Sequence, residues 1–143
     1  AIGETSPDIH PENVERLILC SGKIYYDLYE AREKAGITSV AIARIEQLYP
    51  YPVSEVADII EKYSRASEVC WVQEEPRNQG AWIYMEHYLS SQIGEHQELR
   101  YIGRRSSASP ATGYHRVHER EQKEIVELSL KPGHKLAVSG SMN

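Results

Sequence analysis

The 143-residue chain is 41% hydrophobic and 26% charged with a formal net charge of −5, the profile of one soluble globular domain that buries roughly 70% of its unfolded surface. A negative balance with no domain-wide basic field argues against a nucleic-acid partner. No apolar run exceeds about six residues, so no membrane-spanning segment and no signal peptide are expected.

In chain order, Arg16-Leu-Ile-Leu-Cys20 is a near-continuous apolar run ending at Ser21-Gly22, which reads as a strand buried on both faces. Ile24, Leu28, Ala31 and Ala35 then recur at helical spacing, and Gly36 supplies the C-cap. Residues 39–45 give a second strand, followed by the turn Tyr49-Pro-Tyr-Pro52, which cannot continue a strand. Ser54 is the expected N-cap of a helix whose apolar face is Val56, Ile59, Ile60 and Tyr63. Residues 68–73 form a third strand. Asn78 is expected to cap the next helix, which buries Trp82, Met85, Leu89 and Ile93. Residues 99–103 form a fourth strand and residues 116–130 a final helix with a thin apolar stripe of Val117, Ile125 and Leu128. Residues 1–13 lack periodicity and residues 131–143 are rich in Gly, Ser and Lys, so both ends read as mobile or docked elsewhere, leaving residues 14–130 as the domain. Alternating strands and helices with long crossovers predict a three-layer α/β/α sandwich on a parallel sheet of four strands.

Cys20 and Cys70 fall in or at the end of apolar runs and read as buried free thiols of a reducing compartment. Neither nucleotide-binding glycine fingerprint occurs, and no Gly-x-Ser-x-Gly elbow. His115, His118 and Glu119 could share a helical face, but no further ligand stands at a compatible spacing, so no metal site is expected. Glu74 and Glu75 adjoin at a strand end. Neighbouring strand residues point to opposite faces, so the pair is expected to cap or to pair with Arg77 or Arg104 rather than serve one reacting centre. The loop from Gly103 to Gly113 carries two arginines and four hydroxyl residues at the carboxyl end of a strand, where open α/β sheets hold ligands. Arg104, Arg105, Ser107, Ser109 and Thr112 are therefore the candidate anion-binding residues, beside the start of the last helix. The bland alternative is that the arginines pair internally and the hydroxyls serve only the loop's backbone. Tyr49, Tyr51, Tyr114 and the apolar edge near the first strand are candidates for a contact surface.

Four segments in register carry a family resemblance: Cys20-Ser-Gly-Lys-Ile-Tyr-Tyr-Asp-Leu28, Arg44-Ile-Glu-Gln-Leu-Tyr-Pro-Tyr-Pro52, Trp71-Val-Gln-Glu-Glu-Pro-Arg-Asn-Gln-Gly-Ala-Trp82 and Tyr101-Ile-Gly-Arg-Arg-Ser-Ser-Ala-Ser-Pro-Ala-Thr-Gly113. Over residues 14–130 the chain resembles the C-terminal domain of the E1 component of 2-oxoglutarate dehydrogenase, of the transketolase superfamily. The stretch after Lys131 departs from the family pattern. The resemblance implies a longer enzyme that uses thiamine diphosphate and Mg²⁺, decarboxylates 2-oxoglutarate and passes a succinyl group to the lipoyl arm of its E2 partner. It implies a sheet with an additional antiparallel edge strand, of which Ala1-Ile-Gly-Glu4 resembles the end. It also implies preceding E1 domains, an E1 homodimer partner, and a cytoplasmic or mitochondrial-matrix address. No Gly-Asp-Gly metal motif occurs in the chain, so no catalytic residue carries over. The chain is expected to be an excised domain, inactive alone, that supports the dimer or regulates it. The alternatives are an effector module for an adenine nucleotide or acyl-CoA, and the same domain of a 2-oxoadipate dehydrogenase E1.

Overall fold

Every residue of β1 (Arg16–Cys20) is buried, which requires a helix layer on each side of that strand. The computed structural model describes residues 1–104 and 115–133, residues 115–117 by their backbone alone. It orders α1 (Ile24–Ala35), β2 (Val40–Arg44), α2 (Val53–Lys62), β3 (Glu68–Pro76), α3 (Trp82–Gln92), β4 (Glu98–Arg104) and α4 (His115–Ser129) along the chain. The four strands form one parallel sheet in the order β2-β1-β3-β4. The chain steps from β1 outward to β2 and then returns past β1 to β3. With right-handed crossovers, that reversal puts α1 and α2 on opposite faces.

Strand periodicity divides the core accordingly. Leu17, Leu19, Val69 and Trp71 pack with Val56 and Ile60 of α2 and Trp82, Met85 and Leu89 of α3. Ile18, Cys20, Cys70 and Val72 pack with Ile24 and Leu28 of α1, with Ile125 and Val126 of α4 and with Leu130 just after it. The expected three-layer sandwich is what forms. The antiparallel edge is present as one bridge, Ile2 to Arg44.

Both cysteines are free and buried. Gly36 closes α1 at φ 66°, a left-handed conformation in which its N–H reaches the carbonyls of Arg32 and Glu33. Two expected caps are corrected. The carbonyl of Pro52 accepts from the Val56 amide at 3.0 Å, so α2 begins at Val53 and Ser54 lies within its first turn. α3 begins at Trp82, after Ala81. Residues 77–80 are drawn into a turn, with the Gln79 amide on the Pro76 carbonyl at 2.9 Å and Gly80 at φ 67°. Asn78 belongs to that turn and is too early to cap the helix.

Residues 1–13 are tied to the domain itself. Glu4 accepts a fork from Arg32 at 2.5 and 2.7 Å and the Ile42 amide at 2.7 Å. That amide belongs to edge strand β2, so the carboxylate covers a polar group that would otherwise invite another strand. Burial pushes the Glu4 pKa up, but the Arg32 hydrogen bonds and the Ile42 and Ser6 amides outweigh it and hold it below 4.5. The contact surface expected around Tyr51 is also corrected. Tyr51 is 7% exposed, stacked on Tyr88 at 4.2 Å, and its hydroxyl donates to Gln92 at 2.6 Å. Tyr49 remains 65% exposed, and Tyr114 lies outside the described residues. The apolar edge near the first strand is not an edge, because β1 is an interior strand flanked by β2 and β3.

Two outcomes follow from this packing. Trp82 is 4% exposed, and Trp82→Ala will destabilise the domain by about 3–5 kcal/mol in urea denaturation. Because the folded pKa of Glu4 is depressed, its contribution is complete above the unfolded value and is lost as pH falls through the folded one. The melting temperature will therefore fall below pH 4.5, and Glu4→Gln will flatten that dependence while lowering stability at neutral pH.

Candidate functional site

The strand order reverses between β1 and β3, so the carboxyl ends of these strands and of β4 form the edge at which such a sheet accommodates ligands. Lys23, at the start of α1, meets Glu74, near the end of β3, at 3.5 Å. Behind this pair, α1 and α4 leave a groove of about 450 Å³. The Gln122 side chain donates to Asp27 across it at 3.1 Å. Lys23, Lys34 and Lys123 alternate along the groove with Asp27, Glu30 and Glu119, so its charge favours no single sign of ligand.

Arg104 closes β4 and is buried. Its Nε donates to Glu121 at 2.8 Å and its terminal nitrogens to the carbonyls of Glu74 and His118. One side chain thus clasps the ends of β3 and β4 to the first turns of α4. Of the five candidate anion-binding residues, Arg104 is engaged in this clasp. Arg105, Ser107, Ser109 and Thr112 lie outside the described residues.

Glu74 and Glu75 are not brought together. Glu74 turns toward Lys23 on the α1 side. Glu75 is exposed, and its carboxylate would lie 3.0 Å from a Cβ placed on Gly80. Their backbone is used instead: the Glu74 carbonyl accepts from Arg104 and the Glu75 carbonyl from Gln73 and Tyr101.

The loop after β3 is assembled by Gln73, a residue that sequence reasoning missed. Its Oε1 accepts from the Trp71 indole at 2.9 Å, and the two N–H groups of its Nε2 are shared among the carbonyls of Glu75, Pro76 and Gln79 at 3.1, 2.9 and 2.8 Å. Beside it, the Tyr101 hydroxyl donates to the Arg104 carbonyl. Burial pushes the Tyr101 phenol well above its ordinary value, so it acts as a neutral donor. Gly103 makes this geometry possible, since a Cβ there would sit 2.5 Å from the Tyr101 hydroxyl and 2.8 Å from the Gln73 carbonyl. The glycine was the available signal, because a glycine inside a strand marks a close approach. Arg77 lies over the rings of Tyr101 and Trp82, 4.8 and 5.4 Å from their centroids.

Chemistry at the remaining titratable groups is restricted. Burial pushes both thiols up to about 12, so Cys20 and Cys70 stay protonated and poorly nucleophilic at neutral pH. The buried carboxylates Glu4 and Glu68 are each held by arginines. Among the described residues no three His, Cys, Asp or Glu side chains gather to hold a metal ion. The His115 side chain lies outside them. No helix among the described residues is long and apolar enough to cross a membrane.

Comparison with known proteins agrees with this architecture. A family model described as 2-oxoglutarate dehydrogenase C-terminal matches residues 1–130. The chain is 47% identical over 129 residues to the 2-oxoglutarate dehydrogenase E1 component of Haemophilus influenzae, covering 90% of this chain and 14% of that protein. It is 44% identical over 123 residues to the E1 component of Cupriavidus necator, covering 86% of this chain and 13% of that one. It is 46% identical over 123 residues to the oxoglutarate dehydrogenase of Buchnera aphidicola, again covering 86% and 13%. The chain therefore spans about a seventh of the length of these relatives.

Removing the Arg104 clasp has a measurable consequence. Arg104→Ala will cost about 2–3 kcal/mol, the worth of one charge-assisted hydrogen bond with the carbonyls left behind. Amide exchange in residues 118–122 will accelerate before that in β1, as read by mass spectrometry.

Proposed function

The chain belongs to the 2-oxoglutarate dehydrogenase C-terminal family, and on that premise we propose that it is the closing domain of a 2-oxoglutarate dehydrogenase E1 component whose own work is scaffolding. The longer protein would oxidatively decarboxylate 2-oxoglutarate with thiamine diphosphate and Mg²⁺ and pass the succinyl group to the lipoyl arm of E2. Its address would be the cytoplasm or the mitochondrial matrix. The observation that carries the scaffolding role is the state of the buried acids: Glu4 and Glu68 are both neutralised by arginines and neither is poised to move a proton. The donor set does not fit the cofactor either. The chain has no Gly-Asp-Gly, and its buried carboxylates serve structure. The natural partners are the preceding E1 domains and a second E1 chain in the dimer. A 2-oxoadipate dehydrogenase E1 would use the same domain, since the substrate would be bound outside it.

A second reading has its own support in the carboxyl edge of the sheet, where β4 ends at Arg104 and after which α4 begins, a place that suits an effector phosphate from an adenine nucleotide or acyl-CoA. Arg104, Arg105, Ser107, Ser109 and Thr112 were the residues expected to hold it. With Arg104 committed to Glu121 and backbone carbonyls, that reading requires another cation.

Two measurements test the main reading together. Calorimetric titration of the chain with thiamine diphosphate and Mg²⁺ will give no binding. Residues 1–130, exchanged for the matched portion of the Haemophilus influenzae protein, will retain 2-oxoglutarate dehydrogenase activity. Micromolar cofactor binding would contradict the scaffolding role, and a folded but inactive chimera would contradict the assignment of the domain.

A further inference from the structure

The chain enters the fold along its outer strand. Ile2 exchanges two backbone hydrogen bonds with Arg44, at 2.7 and 2.8 Å, in an antiparallel bridge. The two backbones of such a bridge run in opposite directions. Polypeptide ahead of Ala1 is therefore aimed past Arg44, toward Glu46 and the turn at Tyr49. Ala1 packs against the core shared by the sheet, α2 and α3, as do Leu48, Tyr84 and Tyr88. Its nitrogen lies 3.2 Å from Glu55, in the first turn of α2. Direction and position both put the entry point on the α2 layer.

Apolar exposure is concentrated on that layer. Of the four large hydrophobic side chains exposed among the described residues, Tyr49, Val53 and Ile83 belong to α2, α3 or the turn before α2, and Tyr26 alone lies on α1. Tyr49 is fixed by its neighbours. Its ring centroid is 4.4 Å from that of Tyr84, whose hydroxyl donates to the Leu48 carbonyl at 2.9 Å. Tyr51 stacks on Tyr88, and Gln92 accepts from the Tyr51 hydroxyl while donating to the Val53 carbonyl. An aromatic side chain that is exposed yet already positioned has little rotamer freedom left to lose when it is covered.

The rim of this surface is acidic, with Glu46, Glu55 and Asp58 all exposed. A second copy docked face to face would set those acids against their own equivalents, which is unfavourable. A segment of the same polypeptide brings no such conflict, and its attachment at Ala1 holds it at high effective concentration. The matching family is a C-terminal one and the relatives are several times longer than this chain, so most of their length lies ahead of such a domain.

We propose that the surface formed by Tyr49 and Val53 is the seat of the polypeptide segment that immediately precedes Ala1 in the longer protein, a segment with apolar residues over Tyr49 and basic ones facing Glu46 and Glu55. This rests on the reading of the chain as the closing domain of an E1 component and names the surface by which it is joined to the rest.

The experiment extends the chain at Ala1 by the residues that precede the matched portion of the Haemophilus influenzae E1 component, about ten of them, which span roughly 30 Å when extended. Hydroxyl-radical footprinting read by mass spectrometry then compares its tyrosines with those of the unextended chain. Tyr26 and Tyr49, 61% and 65% exposed, are matched probes, and Tyr51 at 7% marks full protection. The expected result is that the extension lowers Tyr49 oxidation to the level of Tyr51 and leaves Tyr26 unchanged, and that the chimera of residues 1–130 in the Haemophilus influenzae protein shows the same protection. Unchanged Tyr49 oxidation in the extended chain overturns the inference. Protection in the chimera alone does so too, because it assigns the surface to a more distant domain. Protection that grows with the concentration of the unextended chain makes a second copy the occupant and also overturns it. An active chimera with Tyr49 still reactive leaves the closing-domain reading standing, whereas a folded, inactive chimera removes that reading itself. If the chimera does not fold, the extended chain decides alone.

Discussion

At the amino edge of the sheet, Arg16 and Glu68 meet at 2.9 Å with the arginine side chain wholly buried, and the layers of the domain close around that pair. The two residues are register partners on β1 and β3. Arg100 of β4 adds a second contact to Glu68 at 3.2 Å. The far end of the Arg16 guanidinium donates to the carbonyls of Leu128 and Ser129 at 3.0 and 3.1 Å. Those carbonyls are among the groups an α-helix leaves unsatisfied at its end. One charge cluster thus sets the register of three strands and stops α4 against them. Its worth lies in completeness, because removing one partner strands a buried charge at a cost of about 3–5 kcal/mol.

The same device recurs at other margins of the sheet. Arg32 holds Glu4 and the Val40 carbonyl at the β2 edge, and Arg104 holds Glu121 and two carbonyls at the carboxyl edge. Each combines a carboxylate with backbone carbonyls. A domain whose buried acids are consumed this way is built to keep its shape. Arg77 departs from the pattern. Among the described residues it lies over rings rather than against an acid.

Much of the fold was legible. Strands β1 and β2 were apparent because a strand covered on both faces must be apolar throughout, and Trp82, Met85 and Leu89 repeat with the helical period. Gly36 ended α1 where a left-handed cap was needed. The caps of α2 and α3 were misjudged, because Ser54 and Asn78 have the right chemistry but the turns before them were shaped by Pro52 and by Gln73. The docking of residues 1–13 was illegible for a different reason. A single glutamate has no period, and its partner lies 28 positions away. The candidate site was expected at the carboxyl edge of the sheet; of its residues the structure describes Arg104, placed at the strand end as expected, while its commitment to α4 was not read.

By itself, the amino-acid order determined the kind and succession of elements, the burial of the two thiols and of Trp82, and the family. All of these rest on local period, punctuation and composition, which survive in one dimension. Only the tertiary structure decided the strand order β2-β1-β3-β4 and which charges meet. Arg16 finds Glu68 across 52 positions and the Ser129 carbonyl across 113. Partners so distant become neighbours only when the apolar faces have closed and desolvation makes every unpaired charge costly.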